Sequence, residues 1–310
     1  MKNKGGTLMK TWKKILYAAL AAVLILALLA LSACGSFTPR MAIGLQKLNA
    51  LNSFHTDTAV TADMTVRALG SETPMTLRMN IAGDHQKDPS LNALELSATV
   101  FDVTESLMIY VQTEEDKVTV YSSIDGGESW LTRVQVIEKD EAAEEGGSAD
   151  ESGGEKLRTA DLLKLSAALS ESFEEVGETE IVGGDGKSGK GVRYEGVIPA
   201  ELLRQVISPD ALSEAAAQYE LQLPADSSWL TDIPAAVVMD RQNNTIVRIE
   251  LDLAGVLSGI LGQLLQPLLA SYDLPEGMFD LTLDSFRIET DFSRFDSVSV
   301  TLPGEAEQAA

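Results

Sequence analysis

From Val60 onward the apolar positions recur with a period of two. Val60, Ala62, Met64 and Val66 alternate with Thr61, Asp63, Thr65 and Arg67, and Met75, Leu77, Met79 and Ile81 alternate with Thr76, Arg78 and Asn80. Leu94, Leu96, Ala98 and Val100 continue the series, followed by Leu107, Ile109 and Val111 and then by Val118 and Val120. Alternation of this kind gives a strand one apolar and one wet face. Five such runs joined by polar turns predict an antiparallel meander. Further strands are expected around Val176 to Val182 and Gly191 to Ile198. Val237 to Ile249 reads as a hairpin turning at Gln242 to Asn244, and Ser285 to Phe292 and Ser297 to Leu302 read as closing strands.

Elsewhere the period lengthens. Ile43, Leu45, Leu48 and Leu51 have nearly helical spacing and stop at Asn52-Ser53, predicting a short helix over 41–51. Leu162, Leu163, Leu165, Ala168 and Leu169 predict a second helix, and residues 199–219 a third. The "KLSAALSESF" run at 164–173 echoes "KLNALNSF" at 47–54, two amphipathic helices each leading into a strand. Leu257, Ile260, Leu261, Leu264, Leu265, Leu268 and Leu269 form one helical stripe, with no charge between Asp252 and Asp273. Three glycines, two glutamines and Pro267 within that window argue for a helix lying on a sheet rather than a membrane span. An apolar sheet face must be covered, so the pattern predicts an α+β fold, an antiparallel sheet with helices over its apolar side.

One segment fits neither period. Of the 18 residues from Glu138 to Glu155, eight are acidic and one is basic, and Gly, Ala and Ser make up most of the rest. A segment of that composition buries too little to offset the entropy of ordering, so an acidic disordered insertion is expected at about 138–156.

The amino-terminal pattern is different again. Lys10, Lys13 and Lys14 precede Ile15 to Ala33, which carries no charge. A basic start, an apolar middle and small residues at the exit mark a secretory signal. Leu31-Ser32-Ala33-Cys34 ends it and contains the one cysteine of the 310 residues, so an internal disulfide is excluded. That tetrapeptide resembles the lipobox of bacterial lipoproteins. The resemblance implies a diacylglyceryl group on the Cys34 thiol and cleavage before it, and two acyl chains suffice for stable anchoring. The expected organisation is a signal over 1–33, a lipidated tether over 34–40, a folded domain over 41–303 and a tail over 304–310. Gly-Gly-Thr before Met9 is encodable by a purine-rich ribosome-binding sequence, so translation is expected to begin at Met9. The tether from Gly35 to Pro39 reaches at most about 18 Å, which keeps the fold near the membrane.

Charge narrows the partners. Removing the five lysines of the signal from the 24 basic residues leaves 19 against 47 acidic ones, a formal charge of −28. Such a chain repels phosphate backbones, so nucleic acid is excluded, as is docking on anionic lipid through a basic face. About 270 residues remain after the signal, enough for one large or two small domains. A 45% hydrophobic content is ordinary for a chain with a packed core.

Catalytic patterns are missing. No G-x-S-x-G, H-E-x-x-H or G-x-x-x-x-G-K run occurs, and His55 and His85 are read as surface residues without metal-ligand spacing. "GGDGKSGKG" at 183–191 leads into a strand and reads as a hairpin turn rather than a phosphate cradle. "SSIDGGESW" at 122–130 is similar to the Asp-box of sialidase-type propellers, but it occurs once. Its physical content is a turn capped by Asp125, with Gly126 and Gly127 at positive φ and Trp130 packing at a strand start. No enzyme activity, cofactor or metal is therefore assigned.

What remains is shape. If the helices stand off the sheet, the space beneath them is an apolar cavity suited to a lipid. Met64, Met75, Met79 and Met108 lie on the strands, and methionine makes an adaptable apolar surface. The candidate lining is Met64, Val66, Met75, Leu77, Met79, Leu96 and Ile109 from the sheet, with Leu261 and Leu265 from the helix.

The order of these elements resembles a known family. A lipobox, a helix ending in "LNSF", a meander, "VVMDRQNNTIVRIELD" at 237–252 and "FSRFDSVSVTLPGEA" at 292–306 are similar to the LolA/LolB and LppX/LprG group of envelope proteins. The resemblance implies a strongly curved sheet, an incomplete β-barrel with helices on its concave side, that handles lipid or lipoprotein acyl chains. The acidic insertion, the greater length and a permanent anchor at Cys34 depart from that group. Two readings stand: an anchored protein binding an apolar ligand at the extracytoplasmic face of the cell membrane, or a closed-core lipoprotein that meets an envelope protein partner.

Overall fold

The computed structural model describes residues 39–68, 70–100, 103–114, 117–136, 172–206, 229–261 and 279–303. A helix α1 (Pro39–Ala50) leads into six consecutive strands: β1 (Ser53–Ala68), β2 (Ser71–Gln86), β3 (Ser90–Val100), β4 (Val103–Thr113), β5 (Lys117–Ser123) and β6 (Leu131–Val136). After them come β7 (Phe173–Val182), β8 (Ser188–Ile198), helix α2 (Ala200–Val206), β9 (Ile233–Asp240) and β10 (Ile246–Asp252). Helical residues 254–261, here α3, and strand β11 (Phe279–Ser293) complete the described chain.

All eleven strands form one sheet, in the order β6-β5-β4-β3-β2-β1-β11-β10-β9-β8-β7. Two meanders thus flank β11, which pairs antiparallel with β1 on one side and with β10 on the other. Neighbouring strands are joined mostly by short turns, the commonest antiparallel solution. The sheet is curved and does not close, and among the described residues β6 and β7 are its outermost strands. Helices are a minor part of what is described. The α+β expectation therefore holds for the large antiparallel sheet and only partly for its helical cover.

Register sets the two faces. Val60 pairs with Met79 and with Ile288, and Ala62 with Leu77 and with Phe286, which places one apolar row across β2, β1 and β11. The core is built on this inner face. It includes Val237, Met239, Ile249 and Leu251 from β9 and β10, and Val192 and Tyr194 from β8. The cover consists of Leu48 of α1, Leu202 and Leu203 of α2, the Trp229-Leu230 pair, and Val256, Leu257 and Ile260 of α3. Close approach of α3 depends on glycine: a Cβ at Gly259 would sit 3.0 Å from Trp229 Cα.

The outer face is ionic. Arg193 of β8 grips Glu250 of β10 with two bonds of 2.6 and 2.8 Å, and Arg248 grips Asp291 of β11 at 2.7 and 3.1 Å. Hydrogen bonding from Arg193 holds the Glu250 carboxyl below its ordinary range.

One expectation needs correction. Residues 297–303 are extended but join no ladder. They strap the outer face instead, with Val298 N–H donating to Ser53 Oγ at 3.1 Å and Val300 N–H to Gln86 Oε1 at 2.9 Å. The alternation of Val298 and Val300 arises from packing on Leu91, not from strand pairing. Strand β6 was not foreseen, because every residue of it is exposed and nothing buried marks its phase. The helices expected over 199–219 and 256–270 are described only over 200–206 and 254–261. The helix at 162–169, the acidic insertion, the signal and Cys34 lie outside the described residues.

Candidate functional site: the inner face of the sheet

Each inner-face row is fixed by the pairing register. Met64 faces Met75, Leu77 faces Ala62, Leu96 faces Ile81 and Ile109 faces Leu94, so the sequence-predicted strand residues share one surface. Val66 lies on the same side, opposite Thr73. Leu261 sits at the described end of α3 and packs against the core; Leu265 lies outside the described residues.

Burial along this surface is uneven. On β8 to β10, and at Val60, Ala62 and Ile288 of β1 and β11, the inner side chains are closed over: Ile249 is 7% exposed and Val60 3%, while Met64 and Val66 of β1 and Phe286 of β11 are half-buried. Met79 on β2 belongs to this closed part at 5%, so it is a core residue. Beyond it the cover thins. Leu77 and Ile81 of β2, Leu94 and Leu96 of β3, Leu107 and Ile109 of β4 and Val118 and Val120 of β5 are all half-buried. The inner face ends at Leu131 of β6, 75% exposed. The result is an apolar trough of aliphatic side chains over β2 to β5, beside a closed core.

Met108 does not belong to the trough. It pairs with Glu95 and Ser123 and faces outward, beneath the Asp-box turn, where a Cβ on Gly127 would lie 3.8 Å from its sulfur. That turn has the features its residues require. Asp125 accepts from Ser123 Oγ at 2.6 Å and from Ser129 N–H at 3.0 Å, and Gly126 and Gly127 take φ of 73° and 94°. These bonds hold the Asp125 carboxyl well below its usual range. Trp130 packs edge-on against Tyr110 at 5.4 Å.

The two histidines take opposite faces. His55 is outward, with Nδ1 2.5 Å from Asp84 and Nε2 3.0 Å from Asp57, and Arg294 also bonds Asp84. His85, read from sequence as a surface residue, is half-buried on the inner face at one end of the trough. Its Nε2 is 3.0 Å from Thr56 Oγ1, its Nδ1 3.0 Å from Asn92 Oδ1, and Phe54 stacks on the ring at 4.7 Å. Burial pushes the His85 pKa down, so the ring is neutral at pH 7. The phase was available in the sequence: Met79, Ile81, Gly83 and His85 are alternate positions of one strand. Gly83 is required there, because a Cβ would meet Thr56 Oγ1 at 2.7 Å and His85 Nε2 at 2.8 Å.

Gly183, Gly184 and Gly186 lie in the β7–β8 turn, with Lys187 N–H donating to Asp185 Oδ1 at 3.0 Å and Gly186 at φ 79°, while Gly189 and Gly191 belong to β8. A separate groove of about 450 Å³ lies beside this turn, lined by Lys47, Leu51, Asp185, Asn243, Phe295 and Asp296 among others, and includes none of the sequence-predicted residues. Among the described residues no group of three His, Cys, Asp or Glu side chains is placed to hold a metal ion. No described helix is long and apolar enough to cross a membrane.

No family model and no curated protein matches the chain. Among solved structures it is similar to a DUF1329 family protein from Desulfovibrio piger, at 10% identity and TM-score 0.19, over 84% of this chain and 93% of that one. It is also similar to a β-barrel-like DUF1849 protein from Brucella abortus, at 11% identity and TM-score 0.21, covering 79% and 98%. The third is a putative outer membrane lipoprotein-sorting protein domain from Vibrio parahaemolyticus, at 12% identity and TM-score 0.14, covering 80% and 88%. Similarity at this level does not establish a shared fold, and the architecture rests on the chain's own register and burial.

Proposed function

We propose that this chain is an envelope lipoprotein, anchored through a diacylglyceryl group on Cys34, that binds an acyl chain along the inner face of β2 to β5. It acts as a binding protein rather than an enzyme. The observation that supports this is the burial gradient: one continuous apolar face is sealed over β8 to β10 and the Val60–Ile288 region of β1 and β11, and left half-buried over most of β2 to β5. Aliphatic side chains in that state gain about 25 cal/mol for each further Å² removed from water, which an acyl chain supplies. The neutral polar group of His85, Thr56 and Asn92 caps one end of the trough.

The test uses the full chain purified in detergent from a bacterial host. Solvent extraction separates non-covalent lipid from the covalent anchor, and mass spectrometry identifies it. Delipidated protein is then titrated with a fluorescent fatty acid, and Leu96→Glu is expected to abolish saturable binding while keeping the far-UV circular dichroism. Absence of both extractable lipid and saturable binding in the unsubstituted chain would refute the proposal. A closed-core lipoprotein serving a protein partner is the second reading. It is favoured by the sealing of Met79, a residue of the candidate lining, inside the core.

A further inference from the structure

The two outermost described strands of the sheet are built differently. β7 carries Glu174, Glu175, Glu178 and Glu180, and its register slips between Glu175 and Gly177, where Gly177 has φ 146°. Charge and a bulge are the usual protection of an exposed edge. β6, sequence LTRVQV, has neither proline nor bulge, and its one charge is Arg133. Its six residues are all exposed, with Leu131 at 75%, Val134 at 56% and Val136 at 66%. One side of β6 pairs with β5; the other side has no hydrogen-bond partner among the described residues.

We propose that β6 pairs with β6 of a second copy of this chain across a two-fold axis, joining two sheets edge to edge. Charge and register select this occupant. Directly opposed residues in an antiparallel pair point to the same face, so self-pairing must centre on a residue rather than between two. Centring on Arg133 sets two guanidinium groups side by side. Centring on Val134 instead sets Val134 against Val134, Thr132 against Val136 and Arg133 against Gln135, with no like charges opposed. One face then sets Arg133 beside Gln135, and the other sets the β-branched Thr132, Val134 and Val136 together. β6 itself holds no acidic residue, so no carboxylates are opposed within the ladder. An open head-to-tail chain would have to use the bulged, acidic β7; the isologous pair closes on itself. The inference is independent of the acyl-chain reading.

The test is mild oxidation of the full chain in detergent carrying Val134→Cys. Directly opposed strand residues are about 4.5–5.5 Å apart at Cα, within reach of a disulfide. A covalent dimer is expected from Val134→Cys, and from a mixture of Thr132→Cys and Val136→Cys chains, at several times the level of either alone. The unsubstituted chain, whose one cysteine is Cys34, sets the background. Val176→Cys on β7 is expected to stay at that background. Light scattering should give twice the protein mass for the unsubstituted chain, halved by Val134→Lys with unchanged circular dichroism. Cross-linking of Val134→Cys no higher than background, equal cross-linking from β7, or adducts to a different protein would each overturn the proposal.

Discussion

Met79 and Leu96 lie on the same face of neighbouring strands, yet truncating them should have opposite consequences. Leu96→Ala removes three carbons, worth about 2.4 kcal/mol at about 0.8 kcal/mol per fully buried methylene. Leu96 is partly covered already, so about two thirds of that or more, at least about 1.6 kcal/mol, is realised in the free protein. The remainder is realised only when a ligand covers the trough. Losing up to about 0.8 kcal/mol of it should weaken acyl-chain binding up to about fourfold. Met79 is 5% exposed and packed in the core, so Met79→Ala should cost about 2–5 kcal/mol of stability, transfer and cavity together. Its affinity per folded molecule should change little. The assay pairs equilibrium urea unfolding with fluorescent fatty acid titration under conditions where both variants are folded. Equal stability losses from the two substitutions, with affinity unchanged in Leu96→Ala, would show that β2 to β5 is ordinary core and refute the trough.

Other consequences are as direct. Gly259→Ala should destabilise the fold by about 1–2 kcal/mol, since its Cβ meets Trp229 Cα at 3.0 Å and Cβ at 3.1 Å. Gly255→Ala, whose Cβ meets only the movable Thr231 hydroxyl at 2.6 Å, should stabilise by about 0.5 kcal/mol; urea midpoints separate the two. His85 has a folded pKa below its ordinary 6.5, so the unfolded chain binds the proton more tightly and stability should fall as pH drops below about 6.5. His85→Gln should flatten that part of a thermal-melt pH profile. Glu250 has the reverse bearing: its contribution is full above about 4.5 and lost as pH falls below it, so the stability gap between the unsubstituted chain and Glu250→Gln should close in acid. Asp125→Ala should speed amide exchange at Ser129, and at Gly127 by releasing the Ser123 hydroxyl that accepts from it, while leaving the rest of the sheet protected, because the bonds it removes are confined to one turn.

The chain order alone made much of this protein legible. Alternation is a local property of a strand, so the β2, β3 and β4 positions around Met75, Leu96 and Ile109 were assignable to one face before any partner was known. The Asp125 turn was equally local, its bonds spanning two to four residues. Pairing across more than 200 residues was not. That β11 inserts between β1 and β10 is decided by side chains such as Ile288 meeting Val60 and Leu251 together, which no periodicity records. The same holds for burial. Met79 and Leu96 have equivalent sequence patterns, yet Met79 joins the core cluster that includes Trp229 and residues of α2 and α3, while Leu96 stays half-buried. Which end of an alternating strand is covered is a property of the cover, and so tertiary structure, not sequence phase, decided where this sheet keeps an apolar face available.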